Sequence, residues 1–490
     1  MSIRPDLREN RLAKLQKIID AGFDPFPVDS KQDYTLVKVV EDFEELSSKQ
    51  EVLHLTGRIM AIRPQGGLVF FNIFDGTGSL QVVLKKEDVN EKCFDLFIEA
   101  VDIGDIVEVK GILFITKRGE KSISAQDWIM LTKSLLPLPE KWHGLQDVEE
   151  RFRKRYLDTL MSEEVRSRFI SRSLIIREIR NFLDDEGFLE VETPVLQHQA
   201  GGASAEPFKT HHNALDIDLY LRIAPELYLK RLLIGGFPKV YEIGRNFRNE
   251  GIDVTHNPEF TMLEYYESWS NATKQKDFVE KLLKNLVKKL HKSSSFEYKG
   301  EKIDFSKKIK TVSYLDLLRQ HALVPNPNEA NRDEWELKAK QLGVTVSPSD
   351  PAHTIMDAVY KKVCRPKLIQ PTYIIDYPVD YLPLAKKNAK NPAVVDAFQL
   401  VICGVEIVKA FSELNDPLDQ AQRFENQGKN KEAGDKEAQV MNDEFVEALE
   451  YGMPPAGGVG IGIDRLVMLL TDTQNIREVI LFPTLRPKQK

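Results

Sequence analysis

The sequence predicts an α+β protein: a small β-barrel near the N-terminus, then a larger domain in which helices flank an antiparallel sheet. Three observations predict it. Residues 52–136 run as short alternations of apolar and polar side chains broken by Gly-rich turns, the period of two that marks half-buried strands. Residues 245–266 repeat that period on both sides of a polar loop, as a hairpin does. Elsewhere strands, helices and strands follow one another without the strand–helix–strand rhythm of a parallel sheet. At 490 residues the chain is too long for one ordinary core. The expected division is a helical region at 1–50, the barrel at 51–140, a linker at 141–165 and the large domain at 166–490.

Residues 4–21 place Leu7, Leu12, Leu15, Ile18 and Ile19 at helical spacing, with Arg8, Arg11, Lys14 and Lys17 among them. Gly22, Pro25 and Pro27 stop that helix. Its basic face suits either packing on a neighbour or contact with phosphates. Strands follow at 53–61, 68–74, 79–84, 106–115 and 122–131, with a helix at 91–100. Five strands with a helix between the third and fourth match the plan of an OB-fold, which binds single-stranded nucleic acid by stacking bases on aromatics. Phe70 and Phe71 are adjacent, so one of them faces outward.

Leu136-Pro-Leu-Pro139 begins the linker, and residues 171–185 read as an amphipathic helix. Residues 187–196 form a strand carrying Pro194, which suits an edge or a subunit interface. A Gly-rich loop at 199–203 lets backbone approach a ligand. After a strand at 219–223, a helix opens at Pro225. The hairpin groups Glu242, Asn246 and Arg248 on one strand face, and Phe260, Met262, Glu264 and Tyr266 on the other. A guanidinium, carboxylates and an aromatic plane suit a triphosphate and a base; a solvated hairpin with a charged face would read the same. A lysine-rich helix is expected at 277–291, strands at 372–375, 399–403 and 405–411, and polar helices at 416–450. Residues 457–470 lead a glycine-rich strand into a helix whose first turn holds Arg465. No G-x-x-x-x-G-K-[ST] occurs, which excludes a P-loop. Helix-start N–H groups plus an arginine still suit a phosphate.

The composition, 42% hydrophobic and 29% charged, is that of a globular protein. With a net charge of −7, any nucleic-acid surface must be a local basic patch on an acidic body. Cys93, Cys364 and Cys403 lie far apart without C-x-x-C spacing, so reduced thiols in a cytoplasmic protein are expected. No run of 18 apolar residues occurs, so no membrane span is expected. His211-His212 lacks a third ligand and reads as structural.

Taken together, these stretches resemble the bacterial-type class II lysyl-tRNA synthetases over nearly the whole chain. Residues 187–194, 247–264 and 458–465 are similar to the three ordered motifs of the class. Arg222-Ile-Ala-Pro-Glu-Leu-Tyr-Leu-Lys230 and Phe411-Ser-Glu-Leu-Asn-Asp416 are similar to stretches diagnostic for lysine. The resemblance implies activation of L-lysine with ATP and Mg²⁺, transfer to the 3′ end of tRNA(Lys), and a homodimer.

The same resemblance implies residue roles. Arg248 and Arg465 are catalytic and bind ATP, with Glu250, His256, Asn257, Phe260 and Glu406. Phe260 is the adenine platform, with Arg465 on the other face. Gly202, Glu226 and Glu264 surround the α-ammonium of lysine, Glu413 and Tyr266 the ε-ammonium. Phe411 packs on the methylene stem, and Lys409 stands where the family has an asparagine for the carboxylate. Glu406 is the metal ligand, but its usual acidic partner is Gln399, and Glu206 stands where a basic residue is usual. A compensating Glu206–Lys409 pair is the expectation drawn from these departures. Phe70, Gln81 and Arg58 are implied to read the anticodon. The rivals are a class II synthetase of altered amino-acid specificity and an enzyme that attaches lysine to a protein.

Overall fold

The computed structural model describes residues 5–139, 145, 147–348, 350–432 and 441–488. They form two compact units, Met1–Ser162 and Glu163–Lys490. In the first, strands β1 (Leu53–Gln65), β2 (Leu68–Phe74), β3 (Ser79–Lys85), β4 (Ile106–Ile115) and β5 (Lys121–Thr132) close a barrel in the order β1-β2-β3-β5-β4. The helix Glu91–Ala100 starts where the Asn90 side chain accepts the Lys92 N–H at 2.9 Å. It buries Phe94 and Phe97, and Trp128 meets Phe97 edge-on at 5.2 Å. The basic face of the helix Pro5–Asp20 is largely spent within its own unit. Arg11 donates to the Ile103 carbonyl at 2.9 Å, Lys14 pairs with Asp102 at 2.6 Å and Lys17 with Glu99 at 2.7 Å.

The second unit contributes β6 (Leu189–Glu190), β7 (Leu196–Gln197), β8 (Lys209–His212), β9 (Ile217–Leu221), β10 (Lys239–Phe247), β11 (Glu259–Ser268), β12 (Ser295–Tyr298), β13 (Glu301–Asp304), β14 (Lys310–Ser313), β15 (Thr372–Ile375), β16 (Ala397–Ile402), β17 (Val405–Ser412) and β18 (Ala456–Gly462). Eight of them make one sheet in the order β14-β15-β16-β17-β18-β11-β10-β6. Its centre is antiparallel, but both edge pairings, β14 with β15 and β6 with β10, are parallel. The helices Glu163–Asp185, Ala272–His291 and Ile463–Leu470 contribute to the core on one face. The helix Glu226–Ile234 belongs to a second core on the other face, with Tyr266 and Phe411. Alternation along β11 sends Leu263 and Tyr265 into the first core and leaves Glu264 and Tyr266 on the opposite side.

One expectation changes here. The strand expected at 187–196 is split between two sheets, β6 in the large one and β7 in a three-stranded one with β9 and β8. Pro194 has no N–H to extend a ladder, and the Thr193 N–H and hydroxyl turn aside to Glu242. The helices expected at 416–450 are Pro417–Glu432 and Asp443–Glu450, with residues 433–440 outside the described set.

Candidate active site

β17, β18 and β11 lie side by side and form the floor of a cavity of about 240 Å³. Gly458, Gly460 and Gly462 alternate with Val459 and Ile461, so the cavity face of β18 carries no side chains. That bareness is what makes room for ligand. Glu406 and Lys409 are three residues apart, a spacing that would put them on opposite faces of a regular strand. The register shifts opposite them, with Leu400 facing Val408 and Val401 facing Glu406, and both side chains reach the cavity.

At one end Phe260 lines the cavity, and the Arg248 guanidinium stacks over its ring at 5.0 Å. The Nε of Arg248 is buried without a partner. Burial lowers its proton affinity while Glu250, Glu264 and Glu406 hold it up. Arg465 contacts His256 Nε2 at 2.8 Å, and His256 Nδ1 lies 2.8 Å from Asp253. Asn257 donates to the Glu259 carbonyl at 2.6 Å and leaves its own carbonyl oxygen buried without a partner. Asp464 sets the start of the helix that carries Arg465: it accepts the Thr261 N–H at 2.7 Å and pairs with Arg172 at 2.5 Å.

At the other end are three buried carboxylates, Glu226, Glu264 and Glu413. The Tyr266 hydroxyl donates to Glu264 at 3.1 Å. Lys230, fully buried, reaches Glu226 at 2.6 Å and Glu413 at 2.5 Å. Burial, with the charge of Glu226 beside it, pushes Glu264 up to about 8. Burial likewise pushes Glu413 up to about 8, against the attraction of Lys230. A Cβ on Gly202 would stand 2.9 Å from that of Glu226, and its φ of +85° also favours glycine. Burial lowers Lys409, whose field comes from Glu406 and Glu226 on one side and Arg248 on the other. One end can thus hold phosphates and a base, the other two ammonium groups.

Residues 147–486 match the family model of class II tRNA synthetases (D, K and N). The chain belongs to that family. Residues 53–131 of this class II synthetase match the OB-fold nucleic acid binding domain. The chain is 48% identical over 99% of its length to a lysine–tRNA ligase of Pelotomaculum thermopropionicum, covering 96% of that protein. It is 46% identical to that of Syntrophomonas wolfei, covering 99% of this chain and 97% of the relative. For that of Moorella thermoacetica the identity is 47%, with 99% of each covered.

Of the residues expected in the synthetase site, Gly202, Glu226, Arg248, Glu250, His256, Asn257, Phe260, Glu264, Tyr266, Glu406, Lys409, Phe411 and Arg465 line the one cavity. Glu413 stands behind Gly458, held by Lys230. Phe260, the expected adenine platform, lies against the Arg248 guanidinium. Gln399, where an acidic partner of Glu406 is usual, accepts the Tyr377 hydroxyl at 2.8 Å. The expected Glu206–Lys409 pair needs correction: among the described residues no ion pair joins them, and the carboxylates that act most on Lys409 are Glu406 and Glu226. Glu242, grouped with the ligand face, is taken by the buried Arg222. His211 bonds Asp218 at 3.0 Å, and no group of three or more acidic, His or Cys side chains among the described residues could cage a metal.

In the barrel, Phe71 is buried and Phe70 faces outward. Gln81 stands opposite Asn72 on the same face, with its oxygen accepting the Ser122 hydroxyl at 2.9 Å. Arg58 is turned to the Gly104 carbonyl at 2.7 Å. Arg63, for which the sequence suggests no role, is exposed directly opposite Phe70. The β1 bulge between Ile59 and Ala61 shifts the alternation and brings it there.

Proposed function

We infer that this chain is a lysine–tRNA ligase, and the observation that carries the reading is a trio of buried carboxylates, Glu226 and Glu264 lining one end of a cavity and Glu413 behind Gly458, while the other end holds two arginines and an aromatic plane. In this reading Glu264 and Glu226 receive the α-ammonium of lysine, and Glu413 with Tyr266 the ε-ammonium. Charge-assisted contacts in a dry pocket are strong, and a side chain without the amine leaves Glu413 unpaired. Arg248, Lys409 and Arg465 supply positive charge for the substrate carboxylate and the phosphates. The lysine carboxylate attacks the α-phosphorus of ATP in line, pyrophosphate leaves, and the adenylate is passed to a ribose hydroxyl at the 3′ end of tRNA(Lys). No side chain forms a covalent intermediate; positioning and charge stabilisation do the work.

Glu406 is the carboxylate that would hold Mg²⁺, with the phosphates completing its shell, which suits an ion that takes one or two protein carboxylates. When bound, the ion neutralises phosphoryl charge. In the barrel, Phe70, Arg63 and Gln81 are the proposed anticodon face. A homodimer belongs to the same reading, since Leu189, Val195 and Leu196 near the sheet edge are 49%, 41% and 48% exposed. No helix among the described residues is long and apolar enough to cross a membrane. The test is ATP–pyrophosphate exchange with each amino acid in turn. Exchange driven by lysine alone supports the reading, and exchange driven by aspartate or asparagine refutes it.

A further inference from the structure

Lys230 is a lysine fully buried behind the wall of the pocket proposed to bind lysine, and its role rests on that reading of the pocket. Its ammonium sits between Glu226, one helical turn before it, and Glu413, at 2.6 and 2.5 Å, under the Phe411 ring at 5.4 Å and the Phe445 ring at 5.9 Å. The pair Glu413–Lys230 has no solvent exposure at either side chain. A buried ion pair of this kind is weak evidence for stability, because its desolvation offsets its attraction. Its value must lie elsewhere.

Charge counting says where. Once ionised, as two bound ammonium groups require, the buried Glu226, Glu264 and Glu413 carry three negative charges. Glu242, behind Glu264 on β10, is already neutralised by Arg222. One internal ammonium leaves a deficit of two, which is the number of ammonium groups on lysine. Arg248 and Lys409 remain for the carboxylate and phosphates. Geometry says the rest: Lys230 takes Glu413 Oε2, while Oε1 lies against Gly458 beside the Tyr266 ring. One oxygen is thereby tied to the internal ammonium and the other is buried without a hydrogen-bond partner.

We propose that Lys230 is a positioning and specificity-determining residue, a built-in counter-cation that holds the charge deficit of the pocket at two and aims one oxygen of Glu413 at the substrate. The pocket is thus tuned to an amino acid bearing two ammonium groups. The charged groups facing Lys230 are Glu226 on its own helix and Glu413 beyond β17; those two carboxylates in turn face Glu264 and Tyr266 from β11, while Lys409 acts on Glu226, and Arg248 and Glu242 act on Glu264. Without the internal ammonium these carboxylates hold protons more tightly, and lysine must displace them.

The test compares Lys230→Met and Lys230→Arg with the unaltered full-length protein. Lysine binding is measured by calorimetry from pH 6 to 9.5, with ATP binding as the check on folding. In Lys230→Met the rising limb of lysine affinity moves up by one pH unit or more, so affinity falls at least about tenfold at pH 7 and the loss narrows toward pH 9.5. Lys230→Arg keeps the limb where it was. A loss in Lys230→Met that is the same at every pH, no loss, or a displaced limb in Lys230→Arg overturns the proposal. If Lys230→Met fails to bind ATP, the position of the limb in Lys230→Arg decides alone. Absence of lysine binding by the unaltered protein at any pH would instead refute the ligase reading.

Discussion

Gly458 offers the sharpest single-atom test of the amino-acid end of the site. A Cβ there would stand 2.7 Å from Tyr266 Cδ1 and closer still to Glu413 Oε1. Neither neighbour can yield easily, because Glu413 is held by Lys230 and Tyr266 donates to Glu264. Overpacking a well-filled site typically costs about 1–3 kcal/mol. Displacing Glu413 also removes a hydrogen bond to a charged group, about 1.5–3 kcal/mol more. Gly458→Ala is therefore expected to lower kcat/KM for lysine by roughly sixtyfold to twenty-thousandfold, with little change in KM for ATP, at about 1.4 kcal/mol per tenfold. Gly428→Ala is the control away from the cavity: in the helix Pro417–Glu432 its new methyl meets nothing within 4 Å. Pyrophosphate exchange with lysine or ATP varied separates the two constants, and thermal melting reports folding. A folded Gly458→Ala enzyme with an unchanged KM for lysine refutes this account of the subsite.

Lysine binding should release protons, because burial pushes Glu264 and Glu413 up to about 8 in the empty site and the ammonium groups need them ionised. Affinity then rises between pH 6 and 8, by up to about tenfold per unit for each group, and levels off above; calorimetry in buffers of different ionisation enthalpy counts the protons. The sign for stability is opposite: these raised carboxylates make the ligand-free fold less stable as pH climbs from 4.5 through about 8, and added lysine should restore the melting temperature. Arg172→Ala strands the buried Asp464 carboxylate, with an expected loss of about 3–5 kcal/mol in denaturant titration. Phe70→Ala should weaken tRNA binding by about 1–3 kcal/mol in filter binding and leave lysine-dependent exchange intact; a change in exchange would argue against a role confined to RNA.

Much of the architecture was legible because it follows from periods. The alternation in 259–266 set Phe260, Glu264 and Tyr266 on one face, and β11 presents them together to the cavity. Turn residues likewise bracketed the barrel strands to within a few residues. What spacing does not encode is choice among partners. Several carboxylates lie within reach of each buried cation, so nothing in the chain order says that Lys230 binds Glu226 and Glu413 or that Arg172 binds Asp464. Nor does it say that Gln399 turns to Tyr377. Irregularities are equally silent: one bulge in β1 brings Arg63 opposite Phe70, and one in β17 sets Glu406 beside Lys409.

The cavity floor is made of central strands, each hydrogen-bonded on both sides, rather than of loops. Loops accept insertions and deletions, but a residue gained or lost in β11, β17 or β18 would turn every later side chain of that strand to the other face. Divergence at this floor is therefore confined to exchange of side chains in place. Changes of substrate among such enzymes must proceed by swapping charges at fixed coordinates, and redesign should move along the same narrow road.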